Sequence, residues 1–142
     1  MPYTTLDQLT DRFGERMLVD LTDRADVATG EVDADVVDRA LADTDAVIDG
    51  YLAGRYVLPL ATVPALIADL ALTIAIYKLH RFEPDPKIQK DYELALRSLD
   101  GIAKGSIRIP AAGVEPAGTD GGGARMTDRE RPFTEANMKG FI

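Results

Sequence analysis

The stretch that decides the fold is "ALIADLALTIAIYKL", residues 65–79, in which apolar side chains occupy almost every position. Asp69 and Lys78 are its only charged residues. A helix that is apolar on all sides is stable only when other elements surround it. The chain has 142 residues, which is enough for one domain with a core and too few for two comfortable ones. We therefore expect this helix at the centre of the domain or against another subunit.

The sequence before this central stretch predicts three further helices. Asp33 is expected to cap the longest of them, over roughly 34–54, because apolar residues recur there at helical spacing. A first helix is predicted to begin with a capping box formed by Thr4 and Asp7, and a short second helix covers 15–21.

The sequence after the central stretch predicts one more helix, "PKIQKDYELALRSLDGIAKG" (86–105). Alternation of the kind found in strands is limited to "RYVLPL" (55–60) and "SIRIP" (106–110). The predicted fold is therefore all-α, a small bundle of four to five helices with a long extended C-terminal tail. The buried stripe of the last helix is expected to contain Ile88, Tyr92, Ala95, Leu96, Leu99 and Ile102.

The character of the chain changes after Gly105, which divides it into a helical body (1–105) and a tail (106–142). The tail is rich in glycine, proline and alanine and lacks helical periodicity, yet apolar residues return in its last segment, "RPFTEANMKGFI". This pattern predicts a docking peptide, and the alternative is a tail that folds back on its own body. "SIRIP" is also expected to add to the sheet edge of a partner. The predicted docking residues are Phe133, Met138, Phe141 and Ile142, with Ile107 and Ile109.

The corner "IDGYLAGRYVLPL" (48–60) contains two glycines, which raises the question of a phosphate-binding loop. Such a loop needs its glycines at the start of a helix, whereas these lie at a helix end. We predict a structural role instead, in which Gly54 takes the left-handed conformation that ends the helix and Gly50 allows close approach of a neighbouring helix. The corner residues with a predicted structural role are Gly50, Gly54, Arg55, Tyr56 and Pro59.

The chain shows no pattern that predicts catalysis, a cofactor or a metal site. There is no cysteine, and the single histidine, His80, is expected to interact with the end of the central helix. The aspartates between residues 33 and 49 lack the ligand order of a calcium loop and are expected to form a solvated helix face. The longest apolar stretch is too short to span a bilayer, so we expect a soluble protein with no membrane contact.

The net charge of −8 argues against a general nucleic-acid binder, which usually carries a basic excess. The charge is uneven along the chain. Residues 1–103 contain 10 basic and 19 acidic side chains, while residues 104–142 contain 6 and 5. The body is therefore acidic and the tail mixed, which suggests different surroundings for the two parts.

Three segments, in their order along the chain, resemble the Mu-like phage family of head–tail connector (neck) proteins. They are "RFGERMLVDLTDR" (12–24), "DRALADTDAVIDGYLAGRYVLPLATVPALIADLALTIAIYKL" (38–79) and "DYELALRSLDGIAKGSIRIP" (91–110). The resemblance covers residues from about 10 to 110. It is most specific in "RFGE", in the helix corner and in "ALRSLDGIAKG".

This resemblance implies an α-helical adaptor subunit without catalytic residues. Such subunits form a ring of identical copies, expected to be twelvefold, below the portal protein. They bridge the portal to a stopper or tail-terminator protein, and DNA passes through the ring without sequence-specific binding. The implied location is the neck of the virion, reached by assembly in the host cytoplasm. Residues 125–142 are expected to become ordered only against the portal or an adjacent subunit.

Two other classes of function remain open on the sequence. The chain is also compatible with a small cytoplasmic helical regulator or protein-interaction module, which predicts a stable monomer or dimer. An enzyme would instead require a cleft in which polar side chains converge. A ring subunit predicts a mass far above that of the monomer when the portal is present.

Overall fold

The computed structural model describes residues 2–111, which fold into five α-helices and contain no β-strand. The predicted all-α bundle is confirmed, and the two alternating stretches do not form strands. The expected division at residues 105 and 106 stays a prediction, because 112–142 lie outside the described residues. The helices are α1 (Leu6–Phe13), α2 (Glu15–Thr22), α3 (Ala34–Leu52), α4 (Ala65–Leu79) and α5 (Pro86–Lys104).

The apolar helix α4 lies at the centre of the body, as predicted. It packs against α3, α5 and α1, so that most of its side chains lose contact with water. Ile67 and Ile74 are fully buried, and Leu70 is nearly so. Tyr77 is half-buried and stacks on Tyr92 of α5, with ring centroids 3.8 Å apart.

Two apolar clusters meet at α4. The first combines the C-terminal half of α3 with α4 and α5, and includes Ile48, Leu52, Ile74 and Leu99. The second combines α1, α2 and the first half of α3 with the opposite face of α4, and includes Leu9, Leu18, Val37, Leu41, Leu72, Ile76 and Leu79. A single helix without a polar face thus joins both halves of the core.

The helix ends follow local side-chain chemistry. Asp33 caps α3 as predicted, since its carboxylate accepts a hydrogen bond of 3.0 Å from the Asp35 amide. The capping box of α1 starts one residue later than predicted and uses Thr5 and Gln8. Gln8 takes the role given to Asp7 because its side-chain oxygen reaches the Thr5 amide at 3.2 Å.

We predict that Ile74→Ala lowers the free energy of unfolding by about 2–5 kcal/mol, because it opens a cavity where no side-chain surface is exposed. Leu66→Ala, on the same helix, is the control: Leu66 is 39% exposed, so its truncation should cost less than about 1.5 kcal/mol. Urea denaturation followed by circular dichroism measures both variants. Equal losses would show that α4 is not the centre of the core.

Candidate interface surfaces

An open apolar groove runs between α4 and α5 on the side where α1 packs. Its volume is about 630 Å³. Leu70, Ile76 and Ala95 form its buried floor, while Leu66 and Leu94 are 39% and 46% exposed. The groove follows from helical spacing, because Leu66, Leu70, Thr73 and Ile76 recur every three to four residues along α4. We call this surface the α4–α5 groove. The remaining lining residues are Arg12, Phe13, Asp69, Lys87, Ile88, Asp91 and Ser98.

The charged side chains of the α4–α5 groove are paired with one another. Arg12 of α1 forms an ion pair with Asp69 of α4 at 2.5 Å, and Lys87 pairs with Asp91 along α5 at 2.7 Å. Both pairs are exposed and contribute at most about 1 kcal/mol each. These ion pairs matter more for what the groove can bind than for stability, because the apolar surface of the groove lies between charges that already have partners.

At the corner after α3, the predicted conformation of Gly54 is wrong. The described glycines with positive φ are Gly14, Gly30 and Gly105. Beyond the end of α3, Ala53 keeps a right-handed helical conformation, with φ of −56°. The Leu52 carbonyl then accepts hydrogen bonds from the Arg55 and Tyr56 amides at 3.0 and 2.9 Å. This continued right-handed turn satisfies the helix end without a left-handed residue.

The predicted contact of Gly50 with a neighbouring helix is also wrong. A Cβ atom at Gly50 would meet nothing within 4 Å, and the residue is exposed. The buried face of α3 carries Ile48 and Leu52. Gly50 lies two positions from each of them along the helix, so it faces about 160° away from both. Gly50 instead lines a shallow second groove between α3 and α5, next to Tyr51 and Tyr92.

The other corner residues have structural contacts. The Arg55 guanidinium lies over Gly105 at the end of α5, where its Cζ would be 2.6 Å from a Cβ placed on that glycine. A cation at this position is favourable because the carbonyl end of a helix carries partial negative charge. The Tyr56 hydroxyl accepts a hydrogen bond of 3.3 Å from the Ile109 amide. Pro59 follows a cis peptide bond and precedes the buried Leu60.

Of the predicted docking residues, only Ile107 and Ile109 fall within the described chain, and both contact their own body. Ile109 is buried in the first apolar cluster, and Ile107 packs against Gly101, with 3.0 Å between its Cδ1 and a Cβ placed there. These contacts count against a role in docking onto a neighbour, because the apolar surface of Ile109 is already covered and that of Ile107 is partly covered. Phe133, Met138, Phe141 and Ile142 lie outside the described residues, so their docking role stays a prediction.

Hydrogen bonds from Tyr3 to two aspartates of α3, Asp45 and Asp49, were not predicted from the sequence. Tyr3 is buried, its amide donates to Asp45 at 3.0 Å and its hydroxyl donates to Asp49. Burial and the Asp49 carboxylate raise the pKa of Tyr3, and burial raises the pKa of Asp45. The spacing of four residues that places Asp45 and Asp49 on one face of α3 can be seen in the sequence, but their contact with Tyr3 cannot.

Two other side chains secure the end of the body where α2 and α4 finish. Asp23 accepts hydrogen bonds from the Thr29 and Gly30 amides, at 2.9 and 3.0 Å, which lowers the pKa of Asp23. His80 follows the last residue of α4, and its Nδ1 lies 2.7 Å from the Ile76 carbonyl oxygen. This contact confirms the predicted interaction of His80 with the helix end.

Within residues 2–111, the chemical groups do not converge as they would in a reactive site. No cluster of three or more histidine, cysteine, aspartate or glutamate residues that could hold a metal ion occurs in this part of the chain. Each buried side-chain nitrogen or oxygen of the described body has a hydrogen-bond partner. None of the described helices combines the length and apolarity that crossing a bilayer requires.

Comparison with known proteins identifies a family that this chain matches. Residues 3–128 match the family model described as Bacteriophage Mu, Gp36. The chain is 32% identical to gene product J of Escherichia phage Mu over 142 residues, which covers both chains completely. It is also 36% identical to the Mu-like prophage FluMu protein gp36 of Haemophilus influenzae over 106 residues, 75% of each chain.

We predict that Gly50→Ala raises the free energy of unfolding by about 0.5–1 kcal/mol, because the site is an exposed helix interior with open space around it. Gly105→Ala is the matched control and should be destabilising, since Gly105 has φ of 84° and its Cβ would collide with Arg55. Thermal unfolding of both variants tests the assignment. A loss of stability in Gly50→Ala would show that the site is covered.

Proposed function

The chain belongs to the Mu Gp36 family of phage proteins, and we propose that it is a structural subunit of the head–tail connector. In this role identical subunits form a ring under the portal protein and bridge it to a stopper or tail-terminator protein. The ring is expected to be twelvefold and to let DNA pass without sequence-specific binding. The subunit would assemble in the host cytoplasm and remain in the neck of the virion.

The observation that carries this proposal is the α4–α5 groove. The described body leaves two leucines partly exposed over an apolar floor, beside charges that are already paired. Apolar side chains that stay partly exposed in a groove offer a surface that a protein partner can cover. A structural subunit that makes contacts with several neighbours uses such surfaces.

The contacts of the described residues also favour a structural role over an enzymatic one. Polar side chains there cap helices, hold loops or pair with each other at the surface, as Asp23, Asp33 and Asp69 do. An active site would bring several such groups together in a recess with perturbed pKa values.

The acidic body fits a channel through which DNA slides. Residues 1–103 have nine more acidic than basic side chains, and like charges do not hold phosphate groups. We therefore propose that acidic helix faces line the lumen. A map of the assembled ring with a basic lumen would overturn this part of the proposal.

We predict that native mass spectrometry of the full chain mixed with its portal protein yields a complex with many copies of the 15.4 kDa subunit. The chain without portal is the reference, because a subunit that assembles on a template gains its stability from the neighbouring copies. A chain that stays monomeric or dimeric with the portal present would favour the alternative, a small helical regulator or interaction module.

We predict that deletion of residues 125–142 leaves the helical body folded and abolishes stable attachment to the portal. The body should remain folded because both apolar clusters lie within residues 2–111. Circular dichroism measures the body, and particle assays measure attachment, with filled heads lacking tails or heads that leak DNA as the expected result. Normal infectious or transducing particles from the truncated protein would contradict the docking role of the tail.

A further inference from the structure

We propose that the α4–α5 groove binds residues 133–142 of an adjacent copy of the chain. This inference rests on the proposed ring, in which copies lie side by side. It assigns a receptor surface to the last segment of the chain, which the connector role alone does not specify. The occupant is argued from the chemistry of the groove and from the sequence that follows Ala111.

The groove selects an apolar occupant. Its floor of Leu70, Ile76 and Ala95 is buried, and Leu66 and Leu94 offer apolar surface beside it. Each of its four charged residues is in an ion pair within the subunit, so a strongly charged ligand would have to compete with an existing partner. Covering the two leucines is favourable by about 25 cal/mol for every Å² of apolar surface removed from water.

The chain itself supplies a segment of matching chemistry. Phe133, Met138, Phe141 and Ile142 lie within the last ten residues, "FTEANMKGFI", which carry one acidic and one basic side chain. Aromatic and methionine side chains are enriched among the residues that anchor protein interfaces. The segment is therefore apolar and nearly neutral, like the groove.

Length and reach also fit. The groove follows α4 from Leu66 to Ile76, a distance of about 15 Å at the helical rise per residue. Ten residues cover about 15 Å as a helix and about 33 Å when extended, so either conformation spans the groove. Residues 112–132 reach up to about 70 Å, several times the radius of gyration of about 13 Å for a body of this size. The segment can therefore reach a neighbouring copy.

Exchange of a terminal segment between neighbours is a heterologous contact, because two different surfaces meet. Such contacts close into a ring when the rotation between copies allows it. Within a ring, a tethered segment faces the neighbouring groove at an effective concentration in the millimolar range. A contact that is weak between free subunits would therefore be occupied in the assembly.

The test uses the absence of tryptophan from the chain. A full-length reporter carries Phe141→Trp together with Leu66→Ser and Leu94→Ser, so that its own groove is impaired. We expect its tryptophan emission to shift to the blue, saturably, when unlabelled wild-type chain is added up to about 1 mM. Chain with Leu66→Ser and Leu94→Ser should produce a much smaller shift.

The matched control is an acceptor with Val27→Ser and Val57→Ser. Both valines are exposed, at 78% and 54%, and neither lines the groove, so this acceptor should shift the emission as wild type does. Equal shifts from the wild-type and groove-impaired acceptors would overturn the proposal. So would a reporter with an intact groove whose emission is blue-shifted at every concentration, because the segment would then occupy its own body.

Cross-linking gives a second readout that does not depend on the serine variants. The chain has no cysteine, so full-length Leu94→Cys can be mixed with full-length Phe141→Cys without other thiols. We expect at least about tenfold more mixed disulfide than with Val57→Cys in place of Leu94→Cys. Equal yields would overturn the proposal. A ring on the portal without the emission shift and the mixed disulfide would refute the docking of the segment and leave the connector role standing. The emission shift and the mixed disulfide without a portal complex would refute the connector role and leave the docking standing.

Discussion

The structure depends on covering α4 from every side. A helix with apolar residues around its whole circumference cannot remain at a surface, and in this chain α3, α5 and the α1–α2 pair must all contribute to its burial. Each of these helices needs only one apolar stripe, because each meets α4 along a single face. The two apolar clusters together bury α4, which contributes residues to both of them.

The α4–α5 groove exists because this covering is incomplete. The helix α1 has only eight residues. Its Leu9 packs with α4 in the second cluster and its Arg12 forms an ion pair with Asp69 beside the groove. It does not cover Leu66 at the start of α4. The beginning of α4 therefore keeps Leu66 partly exposed, with Leu94 of α5 also lining the seam. Two exposed ion pairs lie beside this apolar strip. The same feature leaves the apolar surface to which the proposed terminal segment would bind.

Periodicity made the helices and most of the core predictable, because a buried stripe must repeat with the helical turn whatever the neighbours are. The predictions failed where a single position depended on three-dimensional context. Gly50 and Gly54 were interpreted from residue type and position along the helix. The surroundings of Gly50 depend instead on the direction in which its position faces on α3, and the conformation at Gly54 depends on the hydrogen bonds that the Leu52 carbonyl accepts. The groove was not predictable, since it depends on how far α1 extends over the α4–α5 seam. The role of Asp45 was missed for the same reason, because Tyr3 lies 42 residues away in sequence.

The proposed connector role requires a subunit that is stable alone and does not assemble prematurely. In the described body, each buried side-chain nitrogen or oxygen has a hydrogen-bond partner, and the two apolar clusters are formed by the body's own residues. The exposed surface of two leucines is far smaller than the roughly 800 Å² per partner that a stable complex usually buries. The proposed contact through the groove alone is therefore expected to be weak between free copies. A ring organised on a template would add the contacts of many copies, because each bound subunit raises the effective concentration of the next binding surface. In the proposed ring, weak pairwise contact would let assembly wait for the portal.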